Sequence, residues 1–127
     1  MADKNYVLQT KPFVVPTTDG KLIEEHFGLA STQTRQYSIA HMVAPPHWGE
    51  PFQNPEFDEV TLVLRGKKRI EVDGETIDLK AGHSILIKGG ARVRYSNPFE
   101  EDCEYVSFCT PAFDFTKVYR EEEEEEE

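Results

Sequence analysis

The chain has 127 residues, 38% of them apolar, and a formal net charge of −10. That length builds one domain with its own core and excludes two. No apolar stretch approaches the roughly 20 residues that cross a membrane as a helix, and the acidic balance opposes nucleic acid, whose recognition needs clustered Lys and Arg.

Much of the charge is an end effect. Residues 121–127 are all glutamate; like charges repel and carry nothing to bury, so a disordered tail is expected there. The N-terminus lacks a basic start followed by an apolar run, so no signal peptide is read. Cys103 and Cys109 fall in one expected strand, about 20 Å apart when extended, against the roughly 7 Å between Cα atoms that a disulfide tolerates. Two free thiols suit a reducing compartment, and the expected location is the cytoplasm.

Short β-rich runs broken by Gly, Pro, Asn and Asp predict an all-β sandwich or barrel. Lys21 to Leu29 fits neither a helical nor a strand period and is read as an N-terminal edge strand. Gln36 to Val43 alternates loosely and stops at Pro45-Pro46. Glu59 to Leu64 is apolar on both faces, as in a central strand. Arg69 to Val72 and Glu75 to Leu79 alternate about Asp73-Gly74, a type I′ hairpin. Ser84 to Lys88, Ala91 to Ser96 and Glu104 to Thr110 complete the set. The chain divides into an N-terminal segment over 1–35, a barrel core over 36–112, a C-terminal segment over 113–120 and the tail over 121–127.

From Glu59 onward the pattern resembles the cupin superfamily. The family's first motif reads G-x5-H-x-H-x3-E-x6-G, and here Glu59 is followed at the right spacing by Gly66. The second reads G-x5-P-x-G-x2-H-x3-N, and Gly82, Gly90 and Asn97 occupy its places. The run Trp48-Gly49-Glu50-Pro51-Phe52-Gln53-Asn54-Pro55-Glu56-Phe57-Asp58-Glu59 is similar to a cupin subgroup with few histidines, and the chain also resembles the cupin of ethanolamine-utilisation operons. The resemblance implies a jelly-roll β-barrel of the double-stranded β-helix kind. It also marks a departure. The metal-binding histidines fall on Gln53, Pro55 and Val93, so of the usual three His and one Glu only Glu59 remains. A standard transition-metal site is not expected.

Strand parity turns Glu59 inward, where a carboxylate must be hydrated, paired, protonated or ligating, and makes it the candidate catalytic acid or base. Tyr95 shares the inward face of its strand with Val93. Gln53, Tyr95, His41 and Trp48 join Glu59 as candidate ligand-binding residues. If a divalent metal is present, Glu59 and Gln53 with Tyr95 or His41 are the ligands available. His26, His47 and His83 have no metal-site spacing, and Arg92 and Arg94 are expected to be solvated. Three functions stay open at this point. One is a metal-poor barrel that binds a small polar organic molecule, with or without non-metal isomerase or lyase chemistry. Another is a divergent metal-dependent enzyme of isomerase, lyase or dioxygenase type. The third is a non-catalytic dimeric sensor or interaction module. A homodimer is the expected assembly, because one small barrel cannot cover both faces of an apolar strand.

Overall fold

The computed structural model describes residues 4–122. Its strands are β1 (Phe13–Val14), β2 (Leu22–Phe27), β3 (Ser38–Ala44), β4 (Trp48–Gly49), β5 (Asp58–Arg65), β6 (Lys67–Val72), β7 (Glu75–Lys80), β8 (Ser84–Ile87), β9 (Val93–Asn97) and β10 (Cys103–Thr110). A single-turn helix α1 (Leu29–Thr32) follows β2, and a 3-10 turn spans Phe115–Lys117. β1-β2-β3-β10-β5-β8 form one antiparallel sheet and β4-β9-β6-β7 a second. Strands distant in sequence are neighbours in both sheets, the crossover connectivity of a jelly-roll barrel.

Alternation within the strands decides what the barrel encloses. In β10, Cys103, Tyr105, Ser107 and Cys109 are buried and the residues between them are not. In β6, Lys68 and Ile70 are buried, and in β9 Val93, Tyr95 and Asn97. Val63, Ile70, Leu79, Ile87 and Val93 pack together as the apolar part of the interior. The hairpin joining β6 to β7 is the one the sequence marks, with φ of 46° at Asp73 and 84° at Gly74, both left-handed as a type I′ turn requires. Gly66, between β5 and β6, has φ 77°, and a Cβ there would stand 2.2 Å from the Asp102 carbonyl oxygen. Both backbone conformation and space therefore demand glycine.

The reading of Lys21 to Leu29 is corrected in two ways. β2 is not an edge strand, since β1 pairs outside it through Phe13 with Glu25 and Val14 with Glu24. The strand also ends at Phe27, and α1 takes Leu29. The apolar period is missing because the inward positions of this segment include Lys21 and Glu25, which face the interior beside Ile23. β5 does carry apolar residues on both faces, and the outer ones stay open. Leu62 is 40% exposed, Leu64 47%, and Leu86 on the neighbouring β8 55%. Glu121, expected to belong to a free tail, is engaged: its amide donates to the Phe52 carbonyl at 2.8 Å and its carboxylate takes the Arg92 guanidinium at 2.7 and 2.8 Å. Residues 123–127 lie outside the described residues.

Asn97 ties the ends of the two sheets together. It is wholly buried, and its amide nitrogen donates to the carbonyls of Ala44, Pro45 and Glu101 at 3.1, 3.1 and 2.8 Å. Its side-chain oxygen accepts from the Phe99 amide at 3.2 Å. Asn97→Ala strands backbone groups that this side chain serves, and is expected to lower unfolding free energy by about 3 kcal/mol. Urea denaturation checks this; a change below about 0.5 kcal/mol would mean that other groups or water satisfy those carbonyls.

Candidate functional site

The polar residues of the barrel interior gather around a cavity of about 130 Å³. A single buried water needs only about 10–15 Å³ of such space, so several waters or a small organic molecule fit. β5 brings Glu59 to the cavity, β9 brings Tyr95, and β10 brings Tyr105, Ser107 and Cys109. The Tyr95 hydroxyl donates to Glu59 Oε1 at 3.0 Å, and the Ser107 hydroxyl donates to Glu59 Oε2. The carboxylate is thus held from both sheets.

Two lysines face this carboxylate. Lys68 is 2% exposed, and its Nζ stands 3.6 Å from the Tyr105 ring centroid and 4.3 Å from that of Tyr95. Such contacts with ring faces partly replace lost hydration. Burial still pushes the Lys68 amine down to about 8; attraction from Glu59 and Glu50 opposes the shift and repulsion from Lys21 adds to it. The Lys21 Nζ lies 4.2 Å from the Trp48 ring centroid and 5.4 Å from that of Tyr105. Burial lowers its amine too, against attraction from Glu50, Glu59 and Asp19.

Glu25 and Glu50 are the other carboxyls of the cavity; Glu25 accepts from the Ser31 amide at 2.7 Å, and Glu50 lies nearer the lysines. Burial raises Glu50 above its ordinary value, although Lys21, Arg120 and Lys68 pull it down. Arg120 reaches back from the C-terminal segment to Glu50 Oε2 at 3.4 Å and to Gln53 Oε1 at 3.3 Å. Burial and the Glu59 charge hold the Tyr95 phenol well above 10, and burial with Glu50 does the same for Tyr105. Both therefore remain hydrogen-bond donors at neutral pH. The Tyr105 hydroxyl is buried and has no hydrogen-bond partner among the described residues.

Of the residues singled out in the sequence, Glu59, Tyr95 and Gln53 share this cavity. His41 does not. It lies on the outer face of β3, where Nδ1 meets Glu24 at 2.8 Å and Nε2 meets Glu104 at 2.6 Å, and these two carboxylates raise its imidazole above the ordinary value. Parity explains the correction: Ser38, Ala40 and Met42 of β3 take the inward positions, which leaves His41 outside. Trp48 is 5% exposed and packs in the core, with Nε1 donating to Asp19 Oδ2 at 2.7 Å. It does not line the cavity; its ring supports Lys21, which does.

Lys21, Glu50, Lys68, Tyr105, Ser107 and Arg120 were not picked out from the sequence. Lys68 falls just outside the strand expected over Arg69 to Val72; that strand in fact begins at Lys67, which puts Lys68 in phase with Ile70 on the inward face. Tyr105 and Ser107 were readable, in phase with both cysteines. Glu50 and Arg120 lie outside regular strands, where no period marks direction.

The positions that carry metal ligands in the family do not fit a metal here. Gln53 and Val93 are backbone partners, each amide donating to the other's carbonyl at 2.9 Å. Val93 and Pro55 have no donor atom in their side chains. Among the described residues no three His, Cys, Asp or Glu converge on one point. The cationic groups of Lys21, Lys68 and Arg120 line the same space and would oppose a cation.

A second concavity, an open groove of about 790 Å³, runs over the outside of the smaller sheet. Arg92 and Arg94 lie over the Phe52 ring at 3.7 and 4.5 Å from its centroid. These arginines, expected to be solvated, are already paired: Arg94 with Glu71, Arg92 with Glu121, and Arg69 nearby with Asp78. The interior cavity, with its desolvated ionisable groups, is the better candidate site.

Comparison with known proteins agrees with this architecture. The endoribonuclease YbeY of Myxococcus xanthus (strain DK1622) is 47% identical over 109 residues, which cover 86% of this chain and 37% of that protein. The chain therefore spans little more than a third of that relative's length. Among solved structures, the Clostridium difficile EutQ protein superposes with a TM-score of 0.60 at 20% identity, over 72% of this chain and 63% of that one. KdgF from Halomonas sp. gives 0.69 at 14% identity, over 82% and 90%. The nucleoside dehydratase Pac13 gives 0.71 at 13% identity, over 94% and 92%. These likenesses establish the fold. Residues 40–109 match the family described as Cupin domain, and the chain belongs to the cupin family.

Proposed function

We propose that the barrel cavity binds a small polar organic molecule and that Glu59 exchanges a proton with it. Tyr95 and Ser107 fix the carboxylate, and Lys68 and Lys21 offset negative charge on the bound molecule. The reaction class that suits these groups is a non-metal isomerisation or elimination, in which a general base takes a proton next to a polarised bond. One observation carries the reading. A half-buried carboxylate with two hydroxyl donors shares a cavity with an unpartnered Tyr105 hydroxyl and with two ammonium groups that form no ion pair within 4.0 Å among the described residues. Nucleic acid is not part of the proposal, because the outer arginines are already taken by carboxylates. The ribonuclease name of the Myxococcus relative belongs to a protein of which this chain matches only part.

A thermal-shift panel of small hydroxy and oxo compounds identifies a ligand, and calorimetry with Glu59→Gln tests the role. A loss of affinity of about tenfold or more is expected, from one charge-assisted hydrogen bond. Unchanged affinity would reduce Glu59 to a structural carboxylate and favour a non-catalytic sensor.

The protein purified without added metal is expected to carry clearly less than one transition metal per chain by elemental analysis, given the donor set. Stoichiometric metal that disappears on Glu59→Gln would overturn this and restore a metal-dependent enzyme.

The shift on Lys68 has a stability consequence. A lysine whose folded value is depressed is protonated in both states below about 8, so the fold carries the full cost of the buried charge there. Between about 8 and the ordinary 10.5 the unfolded chain binds more protons, so stability gained from this group rises with pH. Lys68→Met is therefore expected to be more stable than the native chain at pH 7, with the difference narrowing towards pH 10. Denaturation at the two pH values reads it; a difference independent of pH would mean that Lys68 is not desolvated.

We also propose that a second copy covers the outer face of β5 and β8, where Leu62, Leu64 and Leu86 are open. Sedimentation equilibrium at micromolar concentration should give a dimer, and Leu62→Glu with Leu86→Glu should give a monomer that keeps its melting temperature. A native monomer would overturn the assembly.

A further inference from the structure

We propose that Lys68 is an imine-forming amine, and that the cavity's ligands include small aldehydes or ketones whose carbonyl carbon it attacks. The inference rests on the cavity-binding reading above and names the substrate class for it. Lys68 and Lys21 differ from the other lysines in lining the cavity, and of the two only Lys68 is buried, at 2% exposed. Its Nζ lies inside the barrel on two tyrosine faces, and no hydrogen bond or ion pair within 4.0 Å ties it to a carboxylate among the described residues. An amine held only by ring faces keeps its lone pair available once the proton leaves. Burial and the like charge of Lys21 make that loss easier, bringing the amine to about 8. The orphaned Tyr105 hydroxyl is a donor for a carbonyl oxygen, on the ring over which Nζ sits.

The step balances within the site. The Nζ lone pair forms the new N–C bond, and the carbonyl π pair moves to oxygen. The two N–H protons are carried in turn to that oxygen by Glu59, the C–O bond breaks, and water leaves a neutral imine. No oxidant or reductant takes part. Protonation of the imine nitrogen would turn it into an electron sink, the usual reason to build a buried lysine beside a carboxylate base. Lys21 is the natural control, because it lies in the same cavity and also rests on two rings, Trp48 and Tyr105, but is only half-buried.

The test uses the full chain and propanal, a three-carbon aldehyde. With sodium cyanoborohydride present at pH 8, hydride reduces any imine to a stable secondary amine that mass spectrometry locates. The expected result is one adduct per chain on Lys68. It should form at least about tenfold faster than on exposed Lys67, since burial lets the Lys68 amine give up its proton at that pH. The fast phase should vanish in Lys68→Arg. The comparison of Lys67 with Lys68 needs no variant, so it stands even if that substitution impairs folding. Melting in propanal without reductant separates the two readings. A raised melting temperature with Lys68 modified no faster than Lys67, or with the fast adduct on Lys21, overturns the imine inference and leaves cavity binding intact. No melting shift and no selective adduct overturns both.

Discussion

The hydrogen bond from Tyr95 to Glu59 is the interaction around which the interior is arranged. It runs between the two sheets at 3.0 Å, from β9 of the smaller to β5 of the larger. A half-buried carboxylate in that position gains from donors that replace the water it has lost. Ser107 supplies the second donor from the adjacent β10, and the ammonium groups of Lys21 and Lys68 supply countercharge. The tyrosine rings under those ammonium groups are then required as much as the charges are. An apolar barrel would be simpler and more stable, so this set is held at a cost in stability.

The distribution of polarity follows from that choice. The apolar side chains Val63, Ile70, Leu79, Ile87 and Val93 pack as one cluster, and the ionisable ones gather about the cavity. The carboxyl and ammonium groups are not joined as simple pairs. Glu50 is paired with Arg120 and feels the two lysines only at longer range, while Glu59 spends its hydrogen bonds on neutral hydroxyls. That leaves positive charge without a dedicated partner next to a carboxylate with none to spare, an arrangement that suits a ligand able to complete both.

Most of the barrel was legible in the sequence because alternation and turn residues act locally. Asp73-Gly74 states its own turn type, and β3, β5, β8, β9 and β10 each show their period or their breakers. The first strand pair was not legible, since β2 turns Lys21 and Glu25 inward and so shows no apolar stripe. The candidate site was partly legible. Parity on an expected barrel strand placed Glu59 and Tyr95 inside. Lys68 lies just before the strand expected over Arg69 to Val72; extending that strand backwards in phase with Ile70 places it inside as well. His41 was misplaced by reading residue type ahead of phase. Glu50 and Arg120 reach the cavity from irregular segments, and only the folded chain brings those segments to it.

Arg120 and Glu121 make the cavity's lining depend on a segment beyond the last strand. The Arg120 side chain lies against Glu50 and Gln53, and the next amide is hydrogen-bonded to the Phe52 carbonyl. Loss of Arg120 and Glu121 would therefore take a cationic group from the cavity wall while leaving the ten strands in place.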